Sequence, residues 1–204
     1  MSERGFQILF GSMFVIFILG QFINAVRSVT RGGEYEVREK NPLAMQIMRK
    51  SVGIAWFGAI LIYVIQPDWI AWASFPLPTW VRWFGFGVWA ISMPILWWIE
   101  ISLGKNFNTT LHLRDEHTLV TSGPYKYIRH PMYAAQIPLI LCWLPASGNW
   151  LVGLPGLIGG LLVFILRIPQ EEKVMLERFG QAYQDYMDRT GRFLPRLGRR
   201  TMVE

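Results

Sequence analysis

The residues best suited to chemistry lie in two short stretches of this chain. Residues 117–133, with the sequence HTLVTSGPYKYIRHPMY, hold two of the three histidines and an Arg-His-Pro run directly before an apolar segment. Glu171 and Glu172 follow a later apolar segment. Ionisable groups at the edge of a membrane segment are costly to keep there and point to function rather than packing. Both stretches are therefore candidates for a binding or catalytic site.

The side chains of these stretches suit the recognition of polar groups. The planar guanidinium of Arg129 can hold a carboxylate through two parallel hydrogen bonds. Glu171 and Glu172 stand at the start of a predicted helix, whose dipole stabilises negative charge. They can accept hydrogen bonds from ribose hydroxyls or from an ammonium group. Arg167 and Glu171 are four residues apart, so a structural salt bridge is the simpler interpretation of that pair.

Composition places the chain in a lipid bilayer. Of its 204 residues 52% are hydrophobic and only 17% are charged, the mean hydropathy is +0.27, and ten residues are tryptophan. Five apolar runs approach or reach the length of a membrane-spanning helix. They cover residues 5–26, 52–65, 80–101, 132–144 and 150–168. The sequence therefore predicts an all-α integral membrane protein with about five transmembrane helices.

A further helix is predicted after the last span. Beyond residue 170, apolar side chains recur at three- and four-residue spacing between charged ones, at Met175, Leu176, Phe179, Tyr183, Tyr186 and Met187. This is the pattern of an amphipathic helix, which would lie on the membrane surface or fold over the site. We divide the chain into an N-terminal three-helix membrane region, residues 1–101, and a C-terminal catalytic region, residues 102–204. The second region would hold a cytoplasmic loop, a transmembrane hairpin and the cytoplasmic amphipathic helix.

The positive charges define a predicted orientation. Of the 20 Lys and Arg residues, all but Arg4 and Arg82 fall on one side of a five-span arrangement. Because cytoplasmic loops carry the excess of Lys and Arg, the N-terminus is predicted outside and the C-terminus in the cytoplasm. This placement explains the net charge of +6 without nucleic acid as a partner. A bacterial or archaeal inner membrane is favoured, with the endoplasmic reticulum as the alternative.

Other residues carry weaker signals. Glu100 ends the third apolar run and is either an interfacial charge or a carboxylate that lines the site. Cys142, the single cysteine, lies inside an apolar run and fits a packing role. No Cys/His cluster in the sequence predicts a metal site. The sequence does not indicate an oligomeric state.

The predicted topology brings the two polar stretches together. Both lie on the cytoplasmic side and flank the fourth and fifth spans, which a short turn at residues 145–149 joins into an antiparallel hairpin. Arg129, His130 and Tyr133 should then face Arg167, Glu171 and Glu172. Each motif alone is a weak signal, but their convergence on one membrane face predicts a single site.

The second half of the chain resembles a known family. Asn106-Phe107-Asn108, the stretch at residues 117–133, the Glu171-Glu172 pair with the following LERFGQAYQDY, and a final FLP are similar to isoprenylcysteine carboxyl methyltransferases. These belong to a wider group of intramembrane methyltransferases that includes phospholipid N-methyltransferases. The resemblance covers residues 103–195. Ala135 stands where the family pattern has glycine, and its added methyl group would shift the pocket slightly.

The resemblance implies S-adenosylmethionine as cofactor, bound under the C-terminal hairpin and reached from the cytoplasm. Its contacts would be Gly123, Pro124, Tyr125, His130, Tyr133, Glu171 and Glu172. A lipidic or prenylated acceptor would enter from the bilayer among membrane lipids. His117 matches a family histidine and receives a weaker role, whereas His112 is interpreted as a loop residue.

Methyl transfer mainly requires donor and acceptor to be held in line away from water. A carboxylate acceptor needs no general base but does need a cation to orient it, and Arg129 is the first candidate, with Arg167 second. An ammonium acceptor would first have to lose a proton, for which Glu171 is a candidate base. The arginines therefore favour carboxyl O-methylation.

Three other functions stay open on sequence alone. The first is N- or S-methylation of a phospholipid or small amphiphile at the same donor site. The second is a nicotinamide-dependent membrane reductase of the sterol reductase type, which need not carry a G-x-G-x-x-G fingerprint. The third is a structural membrane protein or assembly factor without a cofactor.

Overall fold

Helices make up nearly all of the regular structure. The computed structural model describes residues 1–30, 43–104 and 118–196. Two short 3-10 helices, Pro67–Ala73 and Gly123–Lys126, lie between the α-helices. The α-helices are α1 (Glu3–Thr30), α2 (Leu43–Ile65), α3 (Thr79–Leu103), α4 (Pro131–Leu141), α5 (Trp143–Ser147), α6 (Trp150–Phe179) and α7 (Gln181–Arg189). The all-α prediction is confirmed for this part of the chain.

Three of the described helices are long and apolar enough to cross a membrane. They lie at Glu3–Arg27, Thr79–Leu103 and Trp150–Phe179, and a fourth span results if α2 and the following 3-10 helix, bent by 113°, count as one. The predicted fourth run, residues 132–144, forms two helices of 11 and 5 residues instead of one. The protein is thus an integral membrane protein with three or four candidate spans, and five crossings stay a prediction.

The predicted boundary between the last span and the amphipathic helix is wrong. The sequence pattern predicts the start of the amphipathic helix near residue 170, but α6 continues without interruption through Pro169 to Phe179. The break falls at Gly180, whose φ of +52° is a backbone conformation that favours glycine. Residues up to 179 therefore extend α6 beyond the apolar region, and only α7 folds back.

One end of the helix bundle is joined by Arg82. Its guanidinium is buried, pairs with Glu3 at the start of α1, and donates to the Tyr63 hydroxyl at 3.1 Å and the Ser147 carbonyl oxygen at 3.2 Å. Cation–π contact with Phe6, whose ring centroid is 4.0 Å away, adds to this. The beginning of α1, the end of α2, the beginning of α3 and the end of α5 therefore meet at this end.

Aromatic rings fill the interior between the helices. The Trp56 and Trp143 rings stack with centroids 4.9 Å apart, and Trp89 meets the edge of Phe10 at 5.0 Å. Such offset and edge-to-face pairs are worth about 0.5–1.5 kcal/mol beyond their area. The same core includes Tyr125 and Ala135, so residues on both sides of the proposed boundary at 101/102 pack together.

Candidate functional site

The site begins with two proline-initiated turns. Pro124 is the second residue of the 3-10 helix that begins at Gly123, and Tyr125 of this helix is buried. Pro131 opens α4, where its missing N–H costs nothing because the first N–H groups of a helix lack partners anyway. Arg129 and His130 lie between these turns. Their side chains are therefore fixed between two rigid elements at the start of α4.

Glu172 is the centre of the site. His130 Nε2 lies 3.1 Å from Glu172 Oε1, and Arg129 donates from Nε to the same oxygen at 3.2 Å. Arg192 donates from Nε to Oε1 at 3.1 Å and from its terminal nitrogen to Oε2. Glu172 and His130 are 5% and 3% exposed, so this carboxylate is buried together with its partners. Burying a charge requires such pairing.

The hydrogen bonds of Glu172 are almost complete. A carboxylate offers about four acceptor positions, two on each oxygen. Within the described residues, three nitrogens approach Oε1 and one donates to Oε2. Glu172 can therefore take at most about one more donor, on Oε2. Its main task here is to hold the three basic side chains, not to present a free carboxylate.

His130 presents an unused nitrogen. Its Nδ1 is buried and has no hydrogen-bond partner among the described residues. In a neutral imidazole one ring nitrogen donates and the other accepts. Because Nε2 faces a carboxylate, which only accepts, the neutral ring has Nε2 as its donor and Nδ1 as its acceptor. A buried acceptor without a partner is a place for a ligand N–H or O–H group.

A second carboxylate lies one residue earlier on α6. The Tyr133 hydroxyl donates to Glu171 Oε2 at 2.9 Å. Arg167, one turn before Glu171 on α6, also interacts with the Tyr133 hydroxyl. Glu171 and Arg167 are only partly buried, whereas Tyr133 is 3% exposed. This group therefore places one anionic and one cationic side chain around one phenol.

Helix α7 covers the site. The Tyr186 hydroxyl donates to the Tyr125 carbonyl oxygen at 2.7 Å, and Arg129 donates to the Met187 carbonyl oxygen at 2.9 Å and to the Thr190 carbonyl oxygen. Carbonyl groups at the end of a helix carry negative partial charge, which suits a guanidinium. Arg129 thus joins Glu172 of α6 to the end of α7.

Burial keeps the phenols under α7 uncharged. It raises the pKa of Tyr186 to about 12 and that of Tyr183 further, although Arg129 partly opposes the shift in both. Burial also raises the pKa of Tyr125 well above its usual value, and Glu171 and Glu100 add to that rise. The hydrogen bond to Glu172 raises the pKa of Arg192. At neutral pH these phenols are hydrogen-bond donors.

Glu100 approaches the site from α3. It is 3% exposed and accepts hydrogen bonds from Gln21 Nε2 at 3.2 Å and Asn24 Nδ2 at 2.5 Å, both on α1. Its charge acts on Tyr125, as does that of Glu171. The phenol of Tyr125 is therefore under the influence of one carboxylate of α3 and one of α6.

The structure brings most of the predicted site residues together. Arg129, His130 and Glu172 form one group, and Tyr133, Arg167 and Glu171 form the other. Gly123 is exposed with a φ of +59°, and Pro124 is partly buried. His112, His117 and the Asn-Phe-Asn motif at residues 106–108 lie outside the described residues.

Sequence reasoning missed one residue of the site. The sequence gives Arg192 no role beyond its positive charge, yet it makes two hydrogen bonds to Glu172. The FLP motif directly after it was the available signal. Arg192 lies 20 residues after Glu172 and outside a helix, so no periodic pattern in the sequence relates the two residues.

Comparison with known proteins shows which family this region resembles. The family model described as the isoprenylcysteine carboxyl methyltransferase (ICMT) family matches residues 84–177. A protein-S-isoprenylcysteine O-methyltransferase of Dictyostelium discoideum is 32% identical over 136 residues, which cover 63% of this chain and 55% of that protein. Protein-S-isoprenylcysteine O-methyltransferase B of Arabidopsis thaliana is 24% identical over 200 residues, 95% of this chain and 96% of that protein.

A solved structure shares the fold. The eukaryotic intramembrane Ras methyltransferase ICMT superposes with a TM-score of 0.51 and 24% identity, over 77% of this chain and 54% of that chain. The chain spans about half the length of the Dictyostelium relative and of the rice relatives, which are 30% identical. The matched region contains α4, most of α6 and all of the site except the residues on and after α7. The site thus lies largely within a region that is similar to the isoprenylcysteine carboxyl methyltransferase family.

Proposed function

We propose that this protein is an integral membrane methyltransferase that uses S-adenosylmethionine and methylates the carboxyl group of an isoprenylcysteine or a similar lipidic acceptor. The observation that carries the proposal is the juxtaposition of His130 with Glu172 and of Tyr133 with Glu171, within the region that matches the family. The relatives are named as enzymes of this type, and many large apolar side chains are exposed on the described helices, as a bilayer requires.

The polar groups of the site fit the proposed methyl donor. Ribose hydroxyls, an adenine amino group and an ammonium group are all hydrogen-bond donors, and the sulfonium centre is a cation. The site offers acceptors that match them: His130 Nδ1, the remaining position on Glu172 Oε2, and the partly buried carboxylate of Glu171. S-adenosylmethionine, when bound, supplies an already activated methyl group, so the protein has to bind, orient and exclude water.

Arg167 is our candidate for orienting the acceptor carboxylate. Arg129 was the first candidate from sequence, but its guanidinium is engaged by Glu172 and by two carbonyl oxygens near the end of α7. A side chain held in this way positions other residues more readily than it captures a substrate. Arg167 lies on α6 beside Tyr133, in the group that includes Glu171. We therefore assign substrate orientation to Arg167 and a supporting role to Arg129.

An amine acceptor is the second candidate, and the carboxylates favour it. Glu100 and Glu171 both act on Tyr125, so this side of the site is rich in negative charge. An ammonium group would be attracted there and could transfer a proton to Glu171 before methylation. N-methylation of a phospholipid or small amphiphile is thus the alternative within the same family fold. We rank it second because the named relatives carry out O-methylation.

The proposed topology has five crossings, with the N-terminus outside and the site on the cytoplasmic side. Contacts of Arg82 with Glu3, Tyr63 and Ser147 group the beginning of α1 with the ends of α2 and α5. Alternation from there assigns α4 and α5 together to the fourth crossing. Eighteen of the 20 Lys and Arg residues then fall on the site's side, as cytoplasmic loops require.

The test is a transfer assay with the full-length protein in lipid nanodiscs. Methyl-labelled S-adenosylmethionine is incubated with an S-farnesylated N-acetylcysteine or, in a parallel reaction, with phosphatidylethanolamine. We expect label in the cysteine derivative that mild base releases, because methyl esters hydrolyse and methylated amines do not. Base-stable label in the phospholipid would favour the second candidate.

A binding measurement separates the other enzyme class. Calorimetry with S-adenosylmethionine and, separately, with a reduced nicotinamide dinucleotide compares the two cofactors directly. Affinity for the dinucleotide alone would favour the reductase, and the absence of binding to either would favour a structural role. The double variant Glu171→Gln with Tyr133→Phe serves as the negative control for donor binding.

A further inference from the structure

The residues after α7 form a strap across the site. This strap, residues 190–193, runs beside the turn before α4: the Arg129 N–H donates to the Gly191 carbonyl oxygen at 2.8 Å, and the His130 N–H donates to the Arg192 carbonyl oxygen at 3.0 Å. Phe193 lies against His130 with ring centroids 6.3 Å apart. The backbone on both sides of Arg192 is therefore held at the site.

The geometry of the strap leaves no room at Gly191. A Cβ atom there would lie 1.7 Å from the Leu194 carbonyl oxygen, far inside any tolerated contact. Glycine allows the chain to turn back tightly after Thr190. The turn directs Arg192 inward to Glu172 although nearly half of its side chain, 49%, is exposed. An exposed arginine thus reaches a buried carboxylate.

Arg192 donates hydrogen bonds to both carboxylate oxygens of Glu172, which Arg129 does not. Arg129 contacts only Oε1 of Glu172 in this structure, and its terminal nitrogen is used by the carbonyl oxygens of Met187 and Thr190. Arg192 donates to both oxygens, in the two-pronged arrangement that fixes the plane of a carboxylate. With that plane fixed, Oε1 faces His130 Nε2.

We propose that Arg192 is a positioning residue of the donor site: through Glu172 it holds His130 in the tautomer that is protonated at Nε2 and leaves Nδ1 as a buried acceptor. This inference rests on the proposed function insofar as the ligand of Nδ1 is the methyl donor. Arg192 itself need not touch the ligand. Arg192 instead determines which nitrogen of His130 can accept a hydrogen bond from the ligand.

The tautomer is measured first, because it requires no donor. Histidine labelled with a nitrogen isotope gives ring-nitrogen signals that distinguish the two tautomers, and His130→Ala identifies the signal among the three histidines. We expect one dominant tautomer in the wild-type protein and a mixture in Arg192→Ala. Arg196→Ala is the matched control, since Arg196 is exposed and donates to the Asp188 carbonyl oxygen. An unchanged His130 signal in Arg192→Ala overturns the proposal.

A mutant cycle tests whether Arg192 acts through Glu172. We expect Arg192→Ala to weaken S-adenosylmethionine binding by about tenfold, and to weaken it by less than about twofold in a Glu172→Gln background. Effects that simply multiply would overturn the proposal. Arg192→Lys keeps the charge but not the fork, and should bind the donor with intermediate affinity even if Arg192→Ala folds poorly. A wild-type protein without donor affinity would refute the proposed function, and the tautomer measurement would still decide the role of Arg192.

Discussion

Tyr186 of α7 donates a 2.7 Å hydrogen bond to the carbonyl oxygen of Tyr125 in the 3-10 helix before α4. Both side chains are buried, and the two residues are 61 positions apart in the chain. The contact therefore joins the helix that covers the site to the turn that the resemblance assigns to the donor. The Tyr186 hydroxyl is thus one of the links that hold α7 at the site, and Arg129 is another.

Tyr186→Phe should loosen this cover. The variant removes one buried hydrogen bond and leaves the Tyr125 carbonyl oxygen without it, a loss of about 1–2 kcal/mol. We expect a lower midpoint of thermal unfolding and faster tryptic cleavage after Arg189. Tyr127→Phe is the control, because Tyr127 is 59% exposed. Equal stability and equal cleavage of the two variants would contradict a docking role for Tyr186.

Alkaline pH should destabilise the site before it affects the rest of the fold. Burial raises the pKa of Tyr125, Tyr183 and Tyr186 in the folded protein, to about 12 for Tyr186. Since an unfolded tyrosine titrates near pH 10, the stabilisation is complete below about pH 10 and is lost as the pH rises towards 12.

This prediction is checked by unfolding in detergent at several alkaline pH values, with the absorbance of tyrosinate recorded in parallel. The free energy of unfolding should fall across that interval, and the buried phenols should titrate together with unfolding. Titration of every phenol near pH 10 with the helices intact would show that the cover over the site is open to solvent.

The sequence predicts the helices of this fold better than the positions at which they end and connect. Long apolar runs fixed α1, α3 and most of α6, because the bilayer requires length and hydrophobicity that are visible locally. The end of α6 was misplaced because helix propensity continues through residues 170–179, and the change of direction depends on one residue, Gly180. The convergence of Arg129, His130 and Glu172 followed from antiparallel topology. Arg192 did not, since a strap of irregular backbone has no periodic pattern.

Replacement of Glu100 should lower the stability of the fold. Glu100→Leu would leave the amides of Gln21 and Asn24 without their acceptor in a buried position, at a cost of about 1–3 kcal/mol. Glu100→Gln keeps one carbonyl oxygen and should cost less. We expect both variants to lower the midpoint of thermal unfolding, with Leu the more severe.

The matched control for Glu100 is Glu177→Gln. Glu177 is exposed and pairs at the surface with Lys173 at 3.9 Å, so its loss should leave stability nearly unchanged. Comparable effects at positions 100 and 177 would contradict the buried contact between α1 and α3. A change in the choice of acceptor by Glu100→Gln, at unchanged donor affinity, would show in addition that this carboxylate borders the acceptor.

A variant of Arg167 distinguishes between a carboxylate and an amine as the acceptor. If its guanidinium orients the acceptor carboxylate, Arg167→Ala should reduce kcat/KM for the farnesylated cysteine by about a hundredfold, the size of effect expected when a reacting group loses its alignment. Donor affinity should change far less than kcat/KM, because a guanidinium only donates and so accepts none of the hydrogen bonds of the methyl donor. Arg167→Lys should recover part of the rate, since it keeps the charge but loses the planar fork.

Arg189→Ala is the control, as Arg189 is exposed and bonds to the Asp185 carbonyl oxygen of its own helix. Normal turnover by Arg167→Ala at saturating donor would remove Arg167 from the reaction, and increased turnover of an amine acceptor by the same variant would show that its positive charge excludes such acceptors.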